Sequence, residues 1–459
     1  MKNNPELDIE KPSEDADVLL QFLDRASQVF VKKLENNDRD WSYDQTKHQN
    51  GVYIPHAQRD SGFFPTLTLK EREDGKTNEI WEAYFLTYWP QFEKGYRKSR
   101  LVNYRSKSEE THLTRIPKSA FSELLPASFL LIGCIQLADE TVFECLTLDS
   151  ASEETALLSD IFNLDPDFKV GIFRPEEKKS EETARIMDFA EEVISAWEDG
   201  AIARFAAENS VMPTSYEIAF RARQVFMKRH GLVNISPFSM DSPGDALREI
   251  SRKIEWGIFR EFQRRERSVE LIRIVMGDEP IKIRTSDIIR KLIDELPAID
   301  ALMLSASQQR KSRAGYSYEH HIEAMLGDGK VPFEKQVILA SKKRPDFILP
   351  SLEFIDSKKE GSETGLILSA KTTLRERWKQ VEREMEGRRL FLTTVDENIA
   401  SNTIEDMASF GVHLVIPESL RKSKETEYEG HENVLSFREF CDETLTPNLK
   451  TWIKTGSSH

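Results

Sequence analysis

Cysteine is scarce in this chain: there are three in 459 residues, Cys134, Cys145 and Cys441, with no C-x-x-C spacing. An odd count so spaced excludes a disulfide framework, argues against a structural zinc and points to a reducing cytoplasm. Long apolar runs are missing too. No stretch approaches the ~18 consecutive apolar residues of a membrane span. The opening segment, Met1 to Asp15, is polar and acidic and lacks the apolar centre of a signal peptide or anchor, so it reads as a frayed end. Positive charge is in deficit, with 64 Lys and Arg against 79 Asp and Glu and a net charge of -15. Such a molecule does not coat nucleic acid indiscriminately, although a local basic stripe can still set a DNA footprint. The length predicts two or three domains.

What is present falls into two textures. From Val18 to Leu34 the residues Leu19, Leu20, Phe22, Leu23, Val29, Phe30 and Leu34 suit one amphipathic helix. Short apolar runs broken by turn residues follow: GVYIP (51–55), FFPTLTL (63–69), EIWEAYFLTYW (79–89) and ASFLLIGCIQL (127–137). They predict the strands of a β domain. Between Tyr84 and Lys107, the cations Lys94, Arg97, Lys98, Arg100, Arg105 and Lys107 interleave with Tyr84, Tyr88, Trp89, Tyr96 and Tyr104. That mixture suits phosphates and base edges, and equally suits a solvated loop.

Arg174 to Glu182, RPEEKKSEE, is a charged stretch that reads as a linker. Beyond it the chain turns helical, over Thr183–Ala207 and again from Pro213, where Thr214 and Glu217 are spaced for a capping box. Further helical runs cover Asp245–Met276 and Thr285–Ala306. They carry no catalytic signature and read as packing and dimer scaffold. In SRKIEWGIF, Arg252 and Trp256 lie i,i+4 on one helical face, where Trp256 suits either a stacking surface or the core.

Chemistry concentrates between Arg344 and Glu384. RPDFILP places Asp346 just ahead of a strand, and GLILSAK ends a second strand in Lys371. In the RERWKQVEREME that follows, Trp378, Val381 and Met385 recur at helical spacing. Two carboxylates, Asp346 and Glu384, with a lysine between them suit phosphodiester hydrolysis: the acids can hold Mg²⁺ and the ammonium can orient a water. Taken alone, an aspartate and a lysine at strand ends are also what a turn and a snorkelling side chain supply. Arg375, Glu376 and Arg377 are fitted to C·G pairs, since arginine donates to guanine O6 and N7 and glutamate accepts from cytosine N4. By itself such a trio is also an ordinary solvated charge cluster. His320 and His321 are adjacent, so they point to different faces of a helix and cannot jointly chelate one ion.

RPDFILP, SAKTTLRERWKQV and the upstream RKSRAGYSYEHHIE (310–323) together resemble the catalytic domain of EcoRII-type restriction endonucleases, of the PD-(D/E)xK nuclease superfamily. HQNGVYIPHAQRDSGFFPTL (48–67) resembles the effector domain of the same enzymes, a B3-like pseudobarrel. The resemblance implies an N-terminal, mostly-β effector domain over 1–173, a linker and helical connection over 174–212, and a catalytic α/β sandwich with a central mixed sheet over 213–459. It adds Glu319, on a short helix, as the first acid of the site. It also implies that Glu384, thirteen residues after Lys371, replaces the acid that commoner members carry where this chain has Ser369.

By the same resemblance Arg375, Glu376 and Arg377 read the site, Arg252 and Trp256 line a pocket for a flipped base, and Lys94, Arg97, Lys98 and Arg100 belong to the effector-binding segment, with Tyr96 where the family has an arginine. The implied protein is a homodimeric, Mg²⁺-dependent, type II (IIE-like) endonuclease. It would cut a CCWGG-like site to leave 5′-phosphates, with a second site copy as allosteric effector and a cognate DNA methyltransferase as its functional pair. Two other readings remain open, a DNA-binding regulator on an inactive nuclease fold and a nuclease directed at modified DNA.

Overall fold

The computed structural model describes residues 14–44, 46, 51–70, 79–104, 110–137, 140–280, 284–339, 344–357, 361–374, 378–379 and 388–456. It divides into two units, one of Met1–Glu181 with Lys424–Glu427, the other of Glu182–Ser423 with Tyr428–His459. No described helix is long and apolar enough to cross a membrane.

The first unit is built on one nine-stranded sheet. Its strands are β1 (Gln28–Lys33), β2 (Val52–Ile54), β3 (Thr68–Leu69), β4 (Ile80–Tyr88), β5 (Tyr96–Tyr104), β6 (Thr111–Thr114), β7 (Phe129–Gln136), β8 (Thr141–Leu148) and β9 (Val170–Phe173). They run in the order β2-β6-β5-β4-β8-β7-β1-β9, with β3 paired to β4. All pairings are antiparallel except β4 with β8.

The single helix expected over 18–34 is not formed. A helix covers Glu14–Arg25 and β1 follows. Val29 and Val31 pack into one core and Phe30 into another. A strand buried on both faces reads as a continuous apolar run, which periodicity alone does not separate from a helix. FFPTLTL is also mostly not strand: Phe63 and Phe64 anchor a core through edge-to-face rings 4.8 Å apart, and pairing begins only at Thr68, beyond Pro65.

The second unit begins in a 24-residue helix, Pro175–Glu198, which runs straight through the charged stretch that composition marks as a linker. Its acids Glu176 and Glu177 fall in the first turn, where the helix dipole favours them. Thr214 and Glu217 do form a reciprocal capping box for the helix Ser215–His230. The run from Pro243 to Met276 is helical throughout, but Glu249–Glu255 winds as a π-helix, a rare geometry that often marks functional sites. The run 285–306 is two helices, Thr285–Asp294 and Leu296–Asp328, separated at Glu295 with Pro297 in the first turn of the second. Glu319 thus sits near the end of a 33-residue helix, not on a short one.

A six-stranded mixed sheet is the centre of this unit. It comprises β10 (Glu334–Lys335), β11 (Phe347–Leu349), β12 (Leu366–Lys371), β13 (Arg389–Thr394), β14 (Val412–Ile416) and β15 (Val434–Ser436), adjacent in that order. β10, β11 and β12 pair antiparallel and β12 to β15 parallel. Alternate side chains serve opposite cores. Phe347, Leu366, Leu368, Phe391 and Val415 pack with Ile250, Tyr318, Ile322 and Phe437. Ile348, Ile367, Leu390, Leu392 and Leu414 pack with Trp378, Ile404 and Met407. Helices covering both faces are what parallel strands require. The last described helix covers Thr446–Gly456 and buries Trp452 in the core.

Candidate active site

Phe347 on β11 faces Leu368 on β12, so Asp346, just before β11, and Lys371, the last residue of β12, meet at one end of the sheet. Lys371 Nζ donates to Asp346 Oδ2 at 2.7 Å, and the backbone N–H of Ala370 donates to the same oxygen at 2.8 Å. The side chains are 24% and 13% exposed, so the pair is shielded yet reachable. Both bonds fall on Oδ2, and among the described residues none bonds Oδ1.

Glu319 completes the group. Its carboxyl is pushed up from an ordinary 4.5 to about 7, first by burial and then by the charge of Asp346, against a downward pull from Lys371 and Lys335. Glu319 thus lies within electrostatic reach of Asp346 and Lys371, on the helix that packs beside β12 and β13. Its neighbour Tyr318 is fully buried and bonds Thr393 Oγ1 on β13 at 2.9 Å, which ties the helix to the sheet beside the site.

Asp346 and Glu319 offer carboxylate oxygens, the hard donors that Mg²⁺ prefers. Among the described residues no group of three or more His, Cys, Asp or Glu is arranged to hold a metal. Glu384, Arg375, Glu376 and Arg377 lie outside the described residues. Ser369, where other superfamily members carry an acid, is fully buried. His321 is buried and pairs through Nε2 with Glu255 at 2.5 Å and through Nδ1 with Arg223 at 3.3 Å, while His320 lies 3.7 Å from Glu323.

Arg252 belongs to the π-helical turn and Trp256 opens the helix that follows it. Trp256 is half-buried and its ring stacks on Phe259 at 5.5 Å, so part of it stays accessible. Nearby, sequence reasoning missed a polar cluster at the carboxyl end of β13. Asp396, 2% exposed, accepts the N–H of Leu374 at 2.7 Å, and Glu397 takes Arg248 at 2.6 Å in a bridge with both side chains under 10% exposed. The signal was available in TTVDEN, an acid pair directly after a parallel strand, because the carboxyl ends of such strands are where sites gather.

In the first unit the basic stretch splits between two faces of β5. Tyr96, Lys98 and Arg100 share one face, Tyr96 and Lys98 exposed and Arg100 half-buried, whereas Arg97 lies on the other side and is held by Glu93. Arg100 pairs with Glu82 at 2.6 Å. Lys98 and Arg115, the latter missed by sequence reasoning, each lie 5.1 Å from the centre of the Tyr84 ring. Lys94 is exposed in the loop before β5. Arg105 and Lys107 lie outside the described residues.

Residues 281–441 match the family model described as EcoRII C terminal. The type II restriction enzyme EcoRII of Escherichia coli is 35% identical over 143 residues, 31% of this chain and 35% of that enzyme. The type II restriction enzyme SsoII of Shigella sonnei is 26% identical over 228 residues, 47% of this chain and 72% of that enzyme. This chain therefore spans about a third of the first relative's length and about seven tenths of the second's. Among solved structures, metal-depleted Ecl18kI in complex with uncleaved, modified DNA aligns with a TM-score of 0.45 and 22% identity, over 55% of this chain and 83% of that one.

Proposed function

We propose, from the premise that this chain carries an EcoRII-type restriction endonuclease domain over residues 281–441, that it is a type II site-specific deoxyribonuclease. What supports this reading is the Asp346–Lys371 ion pair at one end of the sheet, with Glu319 in its electrostatic reach, inside the matched region. The substrate is double-stranded DNA with a CCWGG-like site, and the products carry 5′-phosphates.

Asp346 and Glu384 would hold Mg²⁺, which when bound supplies charge neutralisation at the phosphate and an acidified water. The chain's own groups do the rest. The ammonium of Lys371 is fixed by Asp346 and so can orient the attacking water at little entropic cost. Glu319, poised at about 7, can accept that water's proton near neutral pH or support the ion beside it. Arg375, Glu376 and Arg377, the residues just after this site, read the C·G pairs, and Arg252 with Trp256 receive a flipped central base.

Two-fold pairing of copies would match a palindromic site, with one active site per strand. The first unit, a B3-like domain, would bind a second site copy as effector through Lys98 and Arg100, with Lys94 beside them. A cognate methyltransferase would protect the host DNA. The test is digestion of unmethylated plasmid carrying several CCWGG sites, with Mg²⁺ or with EDTA, and sequencing of the fragment ends. Discrete Mg²⁺-dependent fragments with 5′-phosphates are expected. Site-specific binding without cleavage, even with a short site-bearing duplex added, would favour the regulator. Cleavage of methylated DNA alone would favour the modified-DNA reading.

A further inference from the structure

Successive residues at the carboxyl end of β13 reach Lys371 and residues adjoining other candidate positions. Thr393 bonds Tyr318, the neighbour of Glu319. Thr394 pairs across the sheet with Lys371 and accepts the N–H of Asp396 at 3.0 Å. Asp396 accepts the N–H of Leu374, the residue immediately before Arg375, Glu376 and Arg377. Glu397 holds Arg248, which adjoins the π-helical turn that carries Arg252.

Asp396 is the unusual member. A carboxylate 2% exposed is costly unless it is paired and hydrogen-bonded. Its backbone is pinned as well, since the fully buried hydroxyl of Tyr428 donates to its carbonyl oxygen at 2.7 Å. Burial pushes the carboxyl up, while the N–H of Leu374 and then the charge of Arg252 draw it down, so Arg252 also stands within its field. Leu374 itself is fully buried in the core shared with Trp378, so side chain and amide fix this point of the chain from two sides.

We propose that Asp396 is a positioning residue for sequence recognition: its carboxylate clamps the backbone at Leu374 and so anchors the chain immediately before residues 375–377, on the same strand end that holds Arg248. The inference rests on the nuclease reading above, because only there do residues 375–377 read bases. It touches neither substrate nor ion and acts through the backbone it holds. A buried carboxylate suits the task better than a hydroxyl, because a charged acceptor makes the stronger bond to an amide.

The experiment compares the full-length wild-type protein with Asp396→Ala and Asp396→Asn. Hydrogen exchange at the Leu374 amide, without DNA, reports the clamp. The ratio of cognate to single-mismatch DNA, in binding with Ca²⁺ and in cleavage with Mg²⁺, reports its consequence. The expected result is a protected Leu374 amide in the wild type and loss of that protection in Asp396→Ala. Discrimination should fall about tenfold or more, the scale of one base contact, with the mismatched rate little changed. Asp396→Asn, which keeps an acceptor, should restore most of both. Unchanged exchange in Asp396→Ala overturns the clamp. Lost protection with unchanged discrimination, or an equal fall on every substrate in step with the folded fraction, overturns the role in recognition. A wild-type protein that discriminates in neither assay overturns the nuclease reading, and this inference with it, whatever the Leu374 amide does.

Discussion

Two ion pairs of nearly equal length, one in each unit, sit in surroundings of opposite charge. Arg100 meets Glu82 at 2.6 Å on the sheet of the first unit, and Lys371 meets Asp346 at 2.7 Å in the second. What differs is the third charge. Glu82 has a second cation, Lys70, at 3.8 Å, and Lys98 with Arg115 flank the neighbouring Tyr84, so the balance there is positive and suits phosphate. Asp346 instead shares its surroundings with a second carboxyl, Glu319, which burial and then the charge of Asp346 push up, so the balance is negative and suits a divalent cation. The pair by itself names neither function; the sign of the surplus charge separates an anion surface from a metal site.

The largest effect expected from breaking this contrast is at Lys371. Lys371→Ala should lower single-turnover cleavage by about a thousandfold, the scale of removing one transition-state donor, while leaving DNA affinity in a mobility-shift assay near the wild-type value. Cleavage at the wild-type rate by that variant would remove the proposed mechanism. Arg377→Ala comes next, with a loss of about 1–3 kcal/mol in discrimination at one base pair, read from cleavage of single-mismatch duplexes. A uniform loss across all duplexes would instead place Arg377 on the phosphate backbone.

Glu319 sharpens the comparison through pH. Its folded pKa, about 7, lies above the ordinary 4.5, so the folded state holds this proton more tightly than the unfolded chain does. That contribution to stability is fully present below about 4.5 and is lost as pH rises through about 7. Metal-free wild-type protein should therefore lose urea resistance between pH 5 and pH 8 relative to Glu319→Gln, as followed by denaturation midpoints at the two pH values. Added Mg²⁺ should recover part of the loss at pH 8. Parallel behaviour of the two proteins would mean that neither burial nor Asp346 raises the Glu319 carboxyl.

The smallest effect belongs to the first unit. Arg100→Ala should reduce the slope of log affinity against log salt by about 1, with duplex DNA titrated at several salt concentrations. Arg97→Ala, on the opposite face and tied to Glu93, should leave the slope unchanged. Equal effects at both positions would contradict the division of faces on β5.

Much of the second unit was legible because its signals are local. The apolar run after Asp346, the run ending in Lys371 and the Thr214–Glu217 box depend on residues close in sequence, and each formed. The first unit was harder. Gln28–Lys33 reads as part of a helix until β7 and β9 flank it, and Tyr96–Tyr104 reads as a basic loop until β4 and β6 take its backbone hydrogen bonds.

The sequence by itself determined which residues can do chemistry: an acid before one strand, a lysine at the end of the next, and a charged trio following. Only the tertiary structure decided which charges meet. Glu319 lies twenty-seven positions before Asp346, and Asp396 lies twenty-two after Leu374. No spacing rule spans such separations. The sheet register brings Asp346 to Lys371 and packs the long helix against β13, and burial then raises Glu319 and puts the Asp396 carboxylate on a backbone amide. Charge energies depend on distance and on water excluded from between the groups, and both are set only once the strands have paired.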